Sequence, residues 1–494
     1  MSLRVAVVGG GFAGLVAALR LAHDGCSVTL HDAHPEVGGK ARRLPSPAGE
    51  VDAGPTVFTM REIYDELFAE VGEDLEDHVR LIPAEILARH VWPDGSRLDL
   101  MPDMAASEAA IEAFAGPAEA AAFRDYTATA RMLFERFEAP VMRRPKPSMI
   151  EVGGIIAKDA ARLVPAIAPH RTLWGRLGRS FRDPRLRQLF GRYATYMGGS
   201  PLRSPGILAL IWWAEAKGVW YVEGGMAALA RAIARLAEAR GAEIRRGSAV
   251  RAIRTQGSRV RGVETDAGEA AADAVVFAGD PAALGAGLLG GDVRRVAPAL
   301  APRARSFSAR VWTFAGRPEG VDLAHHTVFF SDDYPAEFAD LTGRRRAPAD
   351  PTVYVCAMDR GIGTVVPSPE RLLIIMNAPA DGDREEDPEE NERCTTAAFA
   401  RLRASGLSLT PPTPTPATLT TPAGFARLFP GTGGAIYGMA PEGNMATFRR
   451  PSVRTGIRGL YLASGAAHPG PGVAMSGLSG RLAAAAIMQD RAST

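Results

Sequence analysis

The chain has 494 residues, 46% of them hydrophobic, and its 57 basic and 55 acidic residues leave a net charge of +2. Such length and apolar content suit more than one packed domain and exclude disorder throughout, while the balanced charge excludes a global field for nucleic acid. Cys26, Cys356 and Cys394 lie too far apart for a disulfide framework or a Cys-x-x-Cys site, so the expectation is a reducing cytoplasm and no metal.

The N-terminal MSLRVAVVGGGFAGL runs straight into an apolar strand, without the basic segment and cleavage site of a secretory signal, and residue 1 is read as part of the fold. Val5 to Val8 predict a strand that ends at Gly9; Leu15, Leu19 and Ala22 follow at helical spacing, and CSVTLHDA at 26–33 predicts a second strand. This β-turn-α-β order opens a dinucleotide-binding fold. From roughly 60 to 220 the pattern is helical, broken by Pro140, Pro145, Pro147, Pro165 and Pro169. The best apolar run, GILALIWWA at 206–214, stops at Glu215, short of the ~20 residues that span a bilayer. Met226, Leu229, Ile233 and Leu236 then share one helix face that Gly241 terminates. Two β segments parted by Gly257 and Ser258 follow, and then a buried strand at Ala274 to Ala278. Residues 381–393 (DGDREEDPEENER) and 410–422 (TPPTPTPATLTTP) predict solvated loops. A last strand, glycine-rich turn and helix occupy 458–488. These α/β blocks predict one discontinuous α/β domain at 1–75, 222–285 and 430–494. Segments 76–221 and 286–429 are expected to form a mixed helical and β region that binds substrate and faces a membrane.

Gly9, Gly11 and Gly14 fit G-x-G-x-x-G between strand and helix, where glycines permit a tight turn, close backbone approach to pyrophosphate and helix packing. Asp32 ends the second strand, where a carboxylate accepts hydrogen bonds from ribose hydroxyls. NAD and FAD sites share this fingerprint. The next residues, EVGGKARR at 36–43, resemble the second glycine motif of the flavin family that includes amine oxidases and carotenoid desaturases. VDAGPTVF at 51–58 resembles the phytoene-desaturase-type carotenoid desaturases, as do DPRLRQLF, GGSPLRSPGILAL, GVWYVEGGMAALARAI, ADAVVFAGDPAAL, GAIYGMAP and GLYLASGAAHPGPGV. The run around DAGPTVFTMR is most similar to the 1-hydroxycarotenoid 3,4-desaturases, or methoxyneurosporene dehydrogenases, of spheroidene-type pathways. The resemblance implies a Rossmann-like FAD-binding domain of the glutathione-reductase/amine-oxidase type. It also implies that Gly9, Gly11, Phe12, Ala13, Gly14, Asp32, Gly38, Gly39, Lys40, Arg42, Gly54, Pro55, Thr56 and Val250 hold the cofactor, with Gly465, Gly472, Val473 and Met475 facing the isoalloxazine. Arg43 is a further candidate for the charge beside the diphosphate. The chain departs from the pattern at Glu223, where many relatives carry proline, and at Ser464 to Ala466, where amine oxidases commonly place a carboxylate.

The implied reaction introduces a C-3,4 double bond into a 1-hydroxy or 1-methoxy acyclic carotenoid such as 1-hydroxyneurosporene. The same flavin site would also suit phytoene desaturation or carotenoid isomerisation or saturation, and a third reading is a flavin-containing carotenoid carrier without turnover. No side chain accepts a hydride, so the redox work belongs to the cofactor; oxygen or a quinone would reoxidise it. The proton lost from the neighbouring carbon is acidic enough for a weak acceptor. His468 is a candidate for shaping the flavin environment, and Glu215, Glu223 and Glu442 are candidate proton acceptors. The catalytic assignment stays open. Residues 155–190 mix apolar residues and Trp174 with eight basic side chains, Arg176 and Arg179 among them. Such a stretch suits peripheral contact with anionic lipid, or a helical insert whose apolar face packs inward and whose arginines are solvated.

Overall fold

The computed structural model of the chain describes residues 2–363 and 365–493. Strand Arg4–Val8 lies between parallel partners Ala274–Phe277 and Ser27–His31, which suits a run that is apolar on both faces. Leu460–Leu462 and Glu243–Arg245 complete a five-stranded parallel sheet, in the order 460–462, 274–277, 4–8, 27–31, 243–245. Helix Phe12–His23 packs against helices Met226–Ala239 and Val473–Ala492 and is buried at ten of its twelve residues. Small residues allow the close approach: a Cβ on Gly480 would lie 2.3 Å from the Ala13 carbonyl oxygen. Met226, Leu229, Ile233 and Leu236 are buried, Arg235 and Glu238 are exposed, and the helix ends before Gly241. Strands Val250–Gln256 and Arg259–Thr265 pair antiparallel across the Gly257 turn, with Gly268–Ala271 as a third.

A second sheet is built around the twelve-residue strand Ser308–Glu319, which pairs with Glu370–Ala378 along nine residues. Val353–Ala357 and His326–Phe329 extend it. Here the helical reading of 60–220 is corrected. Ala88–Val91 and Arg97–Leu100 form a hairpin that joins this sheet beside His326–Phe329. Its Asp94-Gly95 turn is a hairpin signal that the helical composition on either side obscured. The acid-rich segment is also more ordered than expected. Pro388–Ala404 is a helix, and the Asp387 side chain accepts from the Glu389 N–H at its start. Ser408–Thr410 and Leu419–Thr420 are short strands on the edge of Ser308–Glu319. The helices between 104 and 216 cover the other side and pack Phe123, Phe181, Phe190, Tyr193 and Trp212 into a second core. Among the described residues no helix is long and apolar enough to cross a membrane.

Candidate active site

One cavity of about 1170 Å³ runs between the two sheets, larger than the ~300–1,000 Å³ of an ordinary small-molecule pocket. At one end it is lined by backbone. Gly9, Gly11, Phe12 and Ala13 meet Gly38, Gly39 and Lys40 there, and the Gly38 N–H donates to the Gly10 carbonyl (2.8 Å) to join the two glycine motifs. A Cβ on Gly39, at φ +59, would come within 3.1 Å of the Gly11 Cα, so this close pairing favours glycine at position 39. Gly14 stands behind the wall, where a Cβ would lie 1.9 Å from the Gly9 carbonyl oxygen; it serves packing. Asp32 accepts from the backbone N–H groups of Gly10 (2.6 Å) and His34 (2.7 Å), which fixes its carboxylate in the wall with lone pairs to spare. Val250 lines the cavity beside it.

Gly54, Pro55 and Thr56 line the middle of the cavity; opposite them are Gly465 and the start of helix Val473–Ala492, with Gly472, Val473 and Met475 in the wall. This helix and Phe12–His23 both begin after a glycine with no side-chain cap. Helices starting at Met104, Met149 and Leu173 instead have Asp103, Ser148 and Thr172 as caps. Free N–H groups at two helix starts favour negative charge in the cavity. Tyr64, fully buried, holds the second start by donating to the Val473 carbonyl (2.9 Å).

Several expected site residues lie elsewhere. Arg42 turns out of the cavity, donating to Thr420 Oγ1 (2.7 Å) above the Phe425 ring. Arg43 pairs with Glu50 (2.8 Å). Lys40 does line the cavity, but its ammonium donates to the Ile436 carbonyl (2.6 Å), and burial lowers its pKa. His468 is buried behind the wall, its pKa lowered to about 4 by burial against the opposing pull of the Arg144 and Val141 backbone. Glu223 is exposed, and Glu442 pairs with Arg203 (2.8 Å). Of the candidate glutamates, Glu215 is the one in the wall. The basic segment is also less free than its composition suggested: Arg176 donates inward to the Ala166 carbonyl and Trp174 packs on Tyr334.

Four features escaped the sequence reading. Arg450, buried, reaches the carbonyls of Tyr437 (3.1 Å), Met439 (3.2 Å) and Ala466 (3.3 Å) and so clamps the loop that carries Gly465. Burial lowers its pKa to about 10. Arg192, Tyr193, Tyr196 and Glu215 form a buried network. Glu215 Oε1 accepts from Arg192 (2.8 Å) and Tyr193 (2.7 Å), and Oε2 from Tyr196 (2.5 Å). The Tyr354 phenol bonds Thr56 Oγ1 (2.7 Å) and His326 Nδ1 (2.6 Å). Finally, strand pairing sets His326 opposite Cys356 with His325 beside them, and three potential metal-ligand atoms lie within 4.8 Å. The expectation of no metal rested on sequence spacing, which a cross-strand cluster escapes. His325 Nδ1 bonds the Arg360 carbonyl (2.7 Å) and its ring stacks on Tyr221 (3.9 Å). Burial lowers both histidines and raises the cysteine thiol, and His326 holds the Tyr354 phenol from behind.

The residues present fit FAD. Two glycine motifs leave room for a diphosphate beside an uncapped helix, a fixed carboxylate follows at the ribose position, and a second uncapped helix opens on the middle of the cavity. The fold and cavity thus define an FAD-dependent oxidoreductase. The family of flavin containing amine oxidoreductases matches residues 12–314, and that of FAD dependent oxidoreductases matches 181–486. Hydroxyneurosporene desaturase of Cereibacter sphaeroides is 49% identical over 491 residues, covering 99% of this chain and 98% of the relative. The enzyme of the same name from Rubrivivax gelatinosus is 46% identical, covering 99% and 94%. Wild-type putrescine oxidase bound to putrescine superposes with a TM-score of 0.62 at 15% identity, covering 99% of both chains, a likeness of fold. This chain belongs to the phytoene-desaturase-type carotenoid desaturases, within the flavin containing amine oxidoreductases.

Proposed function

We propose that the protein is an FAD-dependent carotenoid desaturase that introduces the C-3,4 double bond into a 1-hydroxy acyclic carotenoid such as 1-hydroxyneurosporene. The observation that carries this reading is a nucleotide cradle continuous with a largely apolar cavity, whose far part is lined by Phe134, Phe137, Ile156, Ile167, Ile207 and Leu210. An extended hydrocarbon fits such a wall; a small amine needs no cavity of this length. Full-length similarity to the hydroxyneurosporene desaturases supports the substrate.

One C–H bond of the substrate leaves with both electrons, the neighbouring C–H leaves its electrons behind to form the C=C bond, and one proton is released. Bound FAD supplies the two-electron acceptor. Thr56, the 464–472 loop and the start of helix Val473–Ala492 would orient the chain against that acceptor. With its uncapped N–H groups, that helix start would favour negative charge on a group held beside it. The apolar wall keeps water from the cationic carbon framework. Oxygen or a membrane quinone would serve as the final electron acceptor.

Helix Met149–Lys158 contributes Val152 and Ile156 to the cavity lining, and none of its ten residues is buried. Val152 and Ile156 line the cavity, while Ile150 (89% exposed) and Met149 (59%) are exposed on the same helix, as are Lys158 on it and Arg144, Lys146 and Arg162 close by in sequence. Apolar tips among cations, of which Arg144 pairs with Glu151 (3.4 Å) and the others exceed the acids, suit an anionic bilayer surface, from which a carotenoid would enter. This reading supports peripheral membrane association at the cytoplasmic face.

The test is anaerobic mixing of the FAD-loaded protein with 1-hydroxyneurosporene in liposomes. The flavin should bleach and the pigment should lose two hydrogens with a red shift. Flavin that stays oxidised while pigment binds would overturn the reading in favour of a carrier, and turnover of phytoene alone would move the substrate to another member of the family.

A further inference from the structure

A 1-hydroxy carotenoid brings one polar group into an apolar cavity, and its position is set by the reaction. Carbon 1 is two bonds from carbon 3, so the hydroxyl must rest beside the part of the wall that faces the reacting bond. Thr56 and Tyr354 line one side there, joined at 2.7 Å. On the other side, the tip of the Met197 side chain, next in sequence to Tyr196, reaches the 464–472 loop: a Cβ built on Gly470 would meet the Met197 Cε at 3.5 Å. Tyr196 lines the cavity and is part-exposed to it.

The hydrogen-bond directions at Tyr196 are fixed by chemistry. Arg192 can only donate, and its Nη1 lies 2.7 Å from the Tyr196 oxygen. Tyr196 donates to Oε2 of Glu215, the carboxyl paired with Arg192, so its proton is spent there. Burial disfavours the Arg192 charge, yet Glu215 holds it charged. The phenol oxygen therefore has one capacity left, as an acceptor. We infer that Tyr196 docks the 1-hydroxyl end of the substrate by accepting its O–H, with Arg192 and Glu215 as positioning residues, and that this selects a free hydroxyl over its methyl ether. The inference rests on the desaturase reading above. A methyl ether has no proton to give and would press its oxygen against an acceptor, a mismatch that costs far more than a missing methylene.

The experiment pairs 1-hydroxyneurosporene with its 1-methoxy counterpart, using wild type and Tyr196→Phe. Binding of each pigment is followed by quenching of tryptophan fluorescence, and turnover by product analysis. Wild type should favour the hydroxy pigment by about tenfold or more, and Tyr196→Phe should bring that ratio down about tenfold, in binding as well as in kcat/KM. A folded Tyr196→Phe that keeps the wild-type ratio overturns the inference. If that variant does not fold, Glu215→Gln carries the test: its amide can donate to Tyr196 and free the phenol proton for an ether oxygen, so the ratio should move toward the methoxy pigment; an unmoved ratio overturns the inference. Wild type that binds both pigments but desaturates neither would overturn the desaturase reading instead, and the binding ratios would still decide the role of Tyr196.

Discussion

Glu337 is 2% exposed, with Oε2 accepting from Ser331 Oγ (2.8 Å) and Thr352 Oγ1 (2.7 Å), just behind the cavity wall that Thr352 lines. Burial pushes its carboxyl up to about 7 despite those two donors. A carboxyl whose folded value is raised keeps a proton that the unfolded chain gives up. Its stabilisation is full below the ordinary value near 4.5 and is lost as pH rises through about 7, a change on the order of 3 kcal/mol. Glu337→Gln keeps the shape and cannot titrate. The thermal midpoint of wild type should therefore fall more steeply between pH 5.5 and 8.5 than that of Glu337→Gln, and equal slopes would exclude Glu337 as the source. The same residue scale explains why the glycine motifs were legible and the polar network was not. Gly9, Gly11 and Asp32 answer a local need that recurs at fixed spacing. Glu215 meets Arg192 across 23 positions, and no spacing distinguishes it from Glu223, which is exposed, or Glu442, which pairs with Arg203.

At the scale of elements, the acid in VDAGPTVF has a structural task that its sequence context did not declare. Helix Met226–Ala239 begins after Gly225, which has φ +79 and no side chain with which to cap. Asp52, distant in sequence, supplies the acceptor: its Oδ2 takes the Met226 N–H at 2.8 Å, and a Cβ on Gly225 would lie 2.1 Å from that oxygen. One carboxylate thus ties the segment that carries Gly54 to Thr56 to a helix of the nucleotide domain. Asp52→Ala should orphan the Met226 N–H and remove a partner of Arg43, at a cost of about 1–3 kcal/mol. A lowered thermal midpoint with weakened FAD retention would bear this out; an unchanged midpoint would mean that water replaces the cap. The helix itself was plain in the sequence, because one apolar face at period 3.6 and a terminal glycine are local signals. The hairpin at 88–100 was missed because its partner, His326–Phe329, lies more than 200 positions away and its neighbours are helical.

At the scale of the molecule, the proposed function divides the work between two regions: the parallel sheet would hold the nucleotide, and the helical cover supplies the apolar part of the cavity wall. The sequence left the basic run 155–190 as either a lipid contact or an insert packed inward, and several of its charges are spent internally. Arg176 binds the Ala166 carbonyl, Arg185 pairs with Asp183 (2.7 Å) and Arg187 donates to the Phe181 carbonyl (2.7 Å). Lys158, Arg162, Arg179 and Arg182 stay exposed, but the large apolar side chains most open to solvent in this region, Met149 and Ile150, lie upstream on Met149–Lys158. Burying one such side chain in lipid is worth about 1.5–3 kcal/mol, so two of them dominate a weak association. Met149→Asp with Ile150→Asp should lower co-sedimentation with anionic liposomes at least tenfold and slow desaturation of vesicle-borne pigment by a similar factor. Because both positions are exposed, the thermal midpoint should barely move, and turnover of detergent-dispersed pigment should fall far less. Charge reversal at Arg179, exposed but remote from this helix in sequence, should weaken liposome binding only modestly and more at low salt. If the double variant binds liposomes as wild type does while Arg179→Glu does not, the basic run is the contact and helix Met149–Lys158 serves only to gate the cavity.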